Sequence, residues 1–454
     1  MNRSLRVAIV GTGPAGMYAL EHLLEKRDLE VEVDLFERLP VPWGLVRYGV
    51  APDHPEKKLV ADRLFSYLIG RHNVRFFGNV EIGKDIRHAE LSEWYDAVIY
   101  AVGANSDIQM GISGEELPGS WAAREFVAWY NGHPDFVDLD FDLSSKRAVI
   151  IGNGNVALDV ARILTTPIEA LEKTDIADNA LAVLRQSNIE EVVILGRRGH
   201  FQSAFNNPEL EELEYLDDVD VIVDAEDFLD DNDLELDNAS WETRRKVKTL
   251  RRLVERKVDN AKKRIVFRFL SSPVELMGVG KAEQLLVIRN RLEHDENGYL
   301  NARPTEEESL IDTGLVLRAI GYRGRPFPGL PFNESAGVIS NVSGRIADKG
   351  EVLAGAYVTG WSKRGPQGVI GTNKQCADET VAHLLEDNAQ GKVMTEATLS
   401  AEQMLTILAQ RQPNYVTEQA WRKIERAERQ AGREQQRLRS KIYSIDDMLK
   451  IAIG

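Results

Sequence analysis

Two glycine-rich turns carry the first chemistry this chain offers. GTGPAG (11–16) follows the apolar run RVAIV and precedes apolar residues at helical spacing, and GNGNVA (152–157) does the same after RAVII. At one constant offset, Gly11, Gly13 and Gly16 fall on Gly152, Gly154 and Ala157. Strand, glycine turn and helix form the setting in which backbone amides and a helix N-terminus receive a pyrophosphate; a glycine turn without a ligand is the plain alternative. The strands after the two turns end differently. VEVDLFE (31–37) ends in Glu37, an acceptor placed to meet a ribose diol, whereas EEVVILGRRG ends in Arg197 and Arg198. Guanidinium groups there would bind a 2′-phosphate that a carboxylate would repel. The two sites together read as FAD held permanently and NADPH visiting, with hydride passing from nicotinamide to flavin. The single cysteine, Cys376, leaves no redox dithiol to take the electrons onward, and no zinc or iron–sulfur site of this chain's own.

These residues need two parallel sheets to position them, and the chain is long enough for two or three domains at 454 residues. Its 43% hydrophobic and 28% charged content is that of an ordinary globular protein. A net charge of −16 argues against nucleic acid as a partner. The excess is local: residues 209–242 hold sixteen acids and no Lys or Arg, and 242–264 then holds eleven Lys/Arg against three acids. No apolar run approaches the roughly 18–20 residues of a membrane span, and the start runs at once into RVAIVG, so a cytoplasmic protein is expected. YDAVIYAVGA (95–104), KRIVFRFLSSPVEL, AEQLLVIRNRLE and EVLAGAYVTGW read as strands, and 242–264 as a basic helix. Residues 227–240 are a weak candidate for disorder. Thr372 and Gln375 have capping-box spacing for the helix beyond them. Residues 400–454 read as charged helices without visible chemistry.

Four longer motifs go further. GLVRYGVAPDHP (44–55), GNGNVALDVARIL (152–164), RRG followed by QSAF (197–205) and GWSKRGPQGVIGTN (360–373) together resemble the adrenodoxin-reductase-type ferredoxin–NADP reductases, in consistent order from about residue 5 to 385. The resemblance implies an α/β fold of two Rossmann-like dinucleotide-binding domains. An FAD-binding domain, 1–106 and 326–454 with a C-terminal helical extension at 400–454, would be interrupted by an NADP-binding domain at 107–325. It implies electron flow from NADPH through FAD to a ferredoxin-type iron–sulfur protein. Carried over by position, the FAD site would include Ala15, Glu37, Leu45, Val80, Trp361, Gly368, Val369 and Ile370. The NADP site would include Asn153, Gly154, Asn155, Val156, Arg197, Arg198, Glu209 and Gly368. The resemblance also puts His54 beside the flavin with Glu212 as its acidic partner, and Asp159 toward the nicotinamide.

Three positions depart from expectation. Ile108 stands where relatives often carry a basic residue, His200 replaces the usual proline after RRG, and Trp361 follows the ferredoxin-reductase branch of the wider class. The basic stretch 244–264 offers either a solvated helix or a docking face for an acidic ferredoxin. Trp43 and Tyr48 read as core aromatics, Cys376 as inert packing, and Lys363 and Arg364 equally as phosphate contacts or loop charges. Two other functions remain open on the residues alone: an NADPH oxidoreductase for a small organic substrate, or a dinucleotide-binding redox sensor without turnover.

Overall fold

The computed structural model describes all residues except 1–3, 27, 224–237, 257, 259–260, 369 and 394–398. Val369 and most of the acidic stretch 227–240 therefore lie outside the described residues. The chain divides into two compact units, Met1–Ser106 with Gly321–Gly454, and Asp107–Ile320. The return crossing falls at 320/321 because Arg318 still pairs within the second unit's sheet, whereas Tyr322 stacks on Trp361 of the first.

The first unit is built on seven strands in the order Asn341–Val342, Arg345–Asp348, Glu351–Val358, Ala97–Tyr100, Leu5–Val10, Val31–Glu37, Val74–Gly78. The last five are mutually parallel. All six residues of Leu5–Val10 are buried, the pattern of a central parallel strand covered on both faces. Helix Pro14–Leu24 opens with proline at its first position, where the missing N–H costs nothing. It packs against helix Thr372–Ala389, with Glu21 paired to Lys374 at 3.1 Å. The expected capping box at Thr372 does not form. The N-cap is Gly371, which has no side chain to cap with, and the amides of Asn373 and Lys374 bond the carbonyls of Ile370 and Gly371 (3.1 and 3.0 Å), so helical turns begin one residue earlier. The C-terminal helices Ala401–Arg411, Glu418–Glu434 and Ile445–Ile453 are capped by the side chains of Ser400, Thr417 and Ser444. They are no appendage: Trp421, Ile424 and Met448 are buried in the same core as Val7, Leu35 and Phe65.

The second unit holds six parallel strands in the order Ser120–Ala122, Leu315–Arg318, Arg147–Ile151, Glu191–Leu195, Lys263–Arg268, Val219–Val223. Helices cover one face. A three-stranded antiparallel sheet, Ser271–Met277, Gln284–His294 and Leu300–Asp312, covers the other through Leu276, Leu285, Val287 and Ile311.

The basic run does not continue as one helix to 264. Helix Trp241–Glu255 ends before strand Lys263–Arg268. Much of its charge turns inward onto the acidic stretch: Arg245 binds Glu211 with two bonds (2.6 and 2.7 Å), Arg252 binds Glu214 (2.8 Å) and Lys262 meets Asp218 (3.2 Å). Arg256 caps the carbonyls of Leu213, Leu216 and Val219. Acids at 211–218 and bases at 245–262 are thus partners within the described residues.

Candidate functional site

In the first unit three loops meet at the carboxyl end of Leu5–Val10. Residues 11–16 make the turn into helix Pro14–Leu24, whose first amides have no carbonyl one turn back to receive them. Gly44 of the second loop approaches the first: a Cβ on Gly13 would find only the Gly44 Cα, 4.0 Å away, so any larger residue at 13 would fill this space. Gly360 of the third loop has φ +70°, and a Cβ there would lie 2.5 Å from the Ala15 Cβ. Only glycine satisfies both the left-handed backbone and the contact.

Glu37 is held ready at the strand end. Its Oε2 accepts the Thr12 amide (3.1 Å) and hydroxyl (2.6 Å), and its Oε1 accepts the Leu39 amide (3.3 Å). A carboxylate has about four lone-pair positions, so acceptor capacity remains for a hydroxyl. Val80 is buried beside it, with its amide bonded to the Glu37 carbonyl (2.9 Å), while Leu45 is exposed. Trp361 begins the short helix after Gly360 and stacks on Tyr322, centroids 5.4 Å apart and planes at 25°. Its indole Nε1 is buried and has no hydrogen-bond partner among the described residues. Gly368 is exposed and Ile370 half-buried in the adjoining loop. Lys363 and Arg364 hold that loop rather than standing free: Lys363 pairs with Glu379 (2.8 Å) and Arg364 donates to Asn373 Oδ1 (3.1 Å). Cys376 is buried and accepts the Gly360 amide (3.3 Å), which fits packing. Trp43 and Tyr48 are buried in the core, as their sequence context suggests.

His54 is buried and occupies the N-cap position of helix Pro55–Ile69. Its Nδ1 lies 2.5 Å from Lys57 Nζ, and its Nε2 is 3.9 Å from Asp53 Oδ1. A lysine ammonium only donates, so in this arrangement Nδ1 accepts and the imidazole proton sits on Nε2. Lys57 belongs to none of the sequence motifs; its spacing of three from His54 is the one signal that could have found it.

In the second unit the turn 152–155 leads into helix Asn155–Thr165. No atom lies within 4 Å of where a Gly154 Cβ would stand, so the helix N-terminus opens onto free space. The turn is tied to the QSAF segment: the Asn153 carbonyl accepts the amides of Ala204 and Phe205 (both 3.1 Å), and Asn155 Oδ1 accepts the Asn206 amide (2.8 Å). Val156 is half-buried behind it. Arg197 and Arg198 follow strand Glu191–Leu195, exposed and half-buried respectively. Their carbonyls serve the fold, accepting Asn290 Nδ2 (2.9 Å) and the Leu270 amide (3.1 Å). Their guanidinium groups have no partner among the described residues, whereas Arg147, Arg245, Arg252, Arg264 and Arg318 of the same unit are all paired. His200 is accommodated without proline, in a short turn with its ring 4.6 Å from Phe201 and edge-on to Phe269. Ile108 is partly exposed.

Asp159 and Glu212 meet on Arg162, which none of the dinucleotide-site motifs marks as functional. Arg162 is buried; its Nη2 donates to Asp159 Oδ1 (2.6 Å) and its Nη1 lies 3.4 Å from Glu212 Oε2. Glu209 stands in the first turn of the neighbouring helix Asn207–Glu211. The Asp–Arg spacing of three in VALDVAR is the available signal.

Two parallel sheets, each with a glycine turn at the carboxyl end of a central strand, define an oxidoreductase of the two-dinucleotide flavoprotein class. The family model described as pyridine nucleotide-disulphide oxidoreductase matches residues 5–224. Within that class the chain belongs to the NADPH–ferredoxin reductase family. It is 46% identical to NADPH-ferredoxin reductase FprA of Mycobacterium tuberculosis over the full length of both, and 48% identical to that of Mycobacterium leprae over 99% of this chain and 98% of the relative. It is 38% identical to the mitochondrial NADPH:adrenodoxin oxidoreductase of Arabidopsis thaliana over 99% and 96%. A solved structure of M. tuberculosis FprA in complex with NADPH superposes with a TM-score of 0.95 at 46% identity, covering both chains completely. The residues present fit both dinucleotides. Among the described residues, one turn has an oriented carboxylate and an indole N–H without a hydrogen-bond partner beside it, and the other has an open helix N-terminus and two guanidinium groups without a partner.

Proposed function

We propose that this protein oxidises NADPH and passes the electrons singly to a ferredoxin-type iron–sulfur protein. FAD, when bound, supplies the conversion of one two-electron donation into two single-electron steps. The chain's own residues bind and orient. We assign FAD to residues 1–106 and 321–454, the return falling five residues earlier than the 325/326 expected from the sequence, with the amides of 13, 15 and 16 on the pyrophosphate, Glu37 on the ribose, and Leu45, Val80, Trp361 and the 368–370 backbone around the rest. NADP is assigned to 107–320, with Asn153 to Val156 on the pyrophosphate and Arg197 and Arg198 on the 2′-phosphate. His54, Asp159, Glu209 and Glu212 are the polar groups proposed to orient the nicotinamide and flavin. Lys57 presets the tautomer of His54, and Arg162 presets both Asp159 and Glu212.

The observation that carries this reading is the guanidinium pair, without a partner among the described residues, in the same unit as the open Gly154 turn, which suits a 2′-phosphorylated nucleotide. The ferredoxin is expected to meet the cations that the 244–264 stretch leaves unpaired among the described residues, Arg244 and Lys248, both exposed. Among the described residues no helix is long and apolar enough to cross a membrane; a cytoplasmic location is part of the proposal. The test is NADPH-driven cytochrome c reduction by the purified protein. A yellow preparation whose turnover requires added ferredoxin supports the proposal. Turnover stimulated only by a small organic acceptor, or a colourless protein without turnover, overturns it.

A further inference from the structure

Beneath residues 43–54 lies a buried ion network that nucleotide binding does not require. Glu428 of helix Glu418–Glu434 has a side chain with 0% exposure. Both its oxygens bind Arg47, at 2.9 Å through Oε2. Oε2 also accepts Arg439 (3.1 Å), and Oε1 accepts the Ile442 amide (2.8 Å). Lys441 Nζ donates to the Arg47 carbonyl (3.2 Å). Arg429 and Arg439 reach Asp62 at 2.7 and 3.4 Å, on the helix that begins at His54. Trp421, from the same C-terminal helix, meets Trp43 edge-on at 5.2 Å. The segment carrying Leu45 and His54 is therefore fastened at both ends to one C-terminal helix.

Stability alone is a poor reason for this design. Two ions removed from water lose several kcal/mol of hydration each, and an apolar pair of similar shape would hold a core at least as well. What an ion network adds is one permitted geometry, since every donor must meet its acceptor. We infer that Glu428 is a positioning residue, holding the Leu45–His54 segment in register against the flavin and balancing the charge of Arg47 and Arg439. The inference rests on the proposed flavin assignment. It gives the C-terminal helices a part in electron transfer that their own sequence does not suggest.

The test is Glu428→Gln in the holoenzyme. Glutamine keeps the size and an acceptor for the Ile442 amide but removes the charge. Amide hydrogen exchange within 43–54 is expected to accelerate about tenfold or more. The flavin midpoint potential should move positive, because an uncompensated guanidinium favours the reduced, more negative ring. Stopped-flow reduction by NADPH should slow by about tenfold to a hundredfold, with the NADPH dissociation constant unchanged. If exchange in 43–54, potential and reduction rate all match the wild type while only the urea midpoint falls, the network is a plain brace and the inference is wrong. Should Glu428→Gln yield no soluble protein, Asp62→Asn decides by the same readouts, since it frees the His54 helix from Arg429 and Arg439 at a less buried position. A wild-type protein without flavin would defeat the functional reading instead; a wild type reduced normally by NADPH, beside unaffected variants, defeats this inference alone.

Discussion

Replacing Arg197 and Arg198 together with alanine isolates the choice between NADPH and NADH. Neither guanidinium has a partner to lose among the described residues, and both backbone carbonyls keep their bonds to Asn290 and Leu270. The fold around the loop should therefore survive. A hydrogen bond to a charged group contributes about 1.5–3 kcal/mol. Arg197 is exposed, so solvent screening pushes its share to the low end or below. A combined loss of about 3 kcal/mol is the reasonable sum, which corresponds to roughly two decades in kcat/KM for NADPH. NADH has no 2′-phosphate and should lose little. Ferricyanide reduction with each nucleotide, run at fixed ionic strength, measures both constants without needing the physiological acceptor. The single variants should divide unequally, with half-buried Arg198 costing more than Arg197. Equal loss with NADPH and NADH would mean the arginines shape the loop rather than read the phosphate, and no loss with either would remove the NADP assignment's main support.

Gly360→Ala should lower the flavin-to-protein absorbance ratio, since alanine at φ +70° costs on the order of 1–3 kcal/mol and its Cβ would press on Ala15; a wild-type ratio refutes the packing argument. His54→Gln should slow flavin reduction by NADPH in stopped flow without loss of FAD, and unchanged kinetics would count against a role for the imidazole. Charge reversal at Arg244 and Lys248 should weaken ferredoxin-dependent turnover and its salt sensitivity while sparing ferricyanide. Alanine at Arg245 or Arg252 should instead lower the urea midpoint slightly and leave ferredoxin-dependent turnover unchanged, because those arginines pair internally. Hydrogen bonds from Arg411, and then Arg87, hold the Glu90 carboxyl down to about 2 against an ordinary 4.5. A depressed folded-state value means this carboxylate stabilises fully above about pH 4.5, and that the contribution is lost as pH falls toward about 2. Glu90→Gln should therefore be less stable than wild type at pH 7 and show a smaller loss in urea midpoint across that window.

The parallel strands and both nucleotide turns were legible because their signals are local. A buried parallel strand reads as an unbroken apolar run, and a turn that must admit a phosphate excludes side chains at fixed spacing. Strand ends announced themselves equally well: Glu37 closes its strand, and the pair Arg197–Arg198 follows two residues beyond the end of Glu191–Leu195. The capping signal at Thr372 misled, since the first helical turn is closed by backbone bonds onto Ile370 and Gly371 and the N-cap falls at Gly371. The basic run misled in a similar way. Its charges suggested a face toward solvent, but acids at 211–218 fold back upon it and pair with Arg245, Arg252 and Lys262.

By itself the sequence determined two unlike dinucleotide turns on one chain, and excluded a dithiol pathway through its lone cysteine. Only tertiary structure decided which charged groups were free to act. Arg197 and Arg198 differ from Arg245 or Arg162 not in type but in having no carboxylate against them among the described residues. The same holds for Arg47, whose partner Glu428 lies 381 residues away in the chain. Charge pairing is set by distance in space, and a chain that returns to its first sheet after some two hundred residues brings together groups that no local pattern connects.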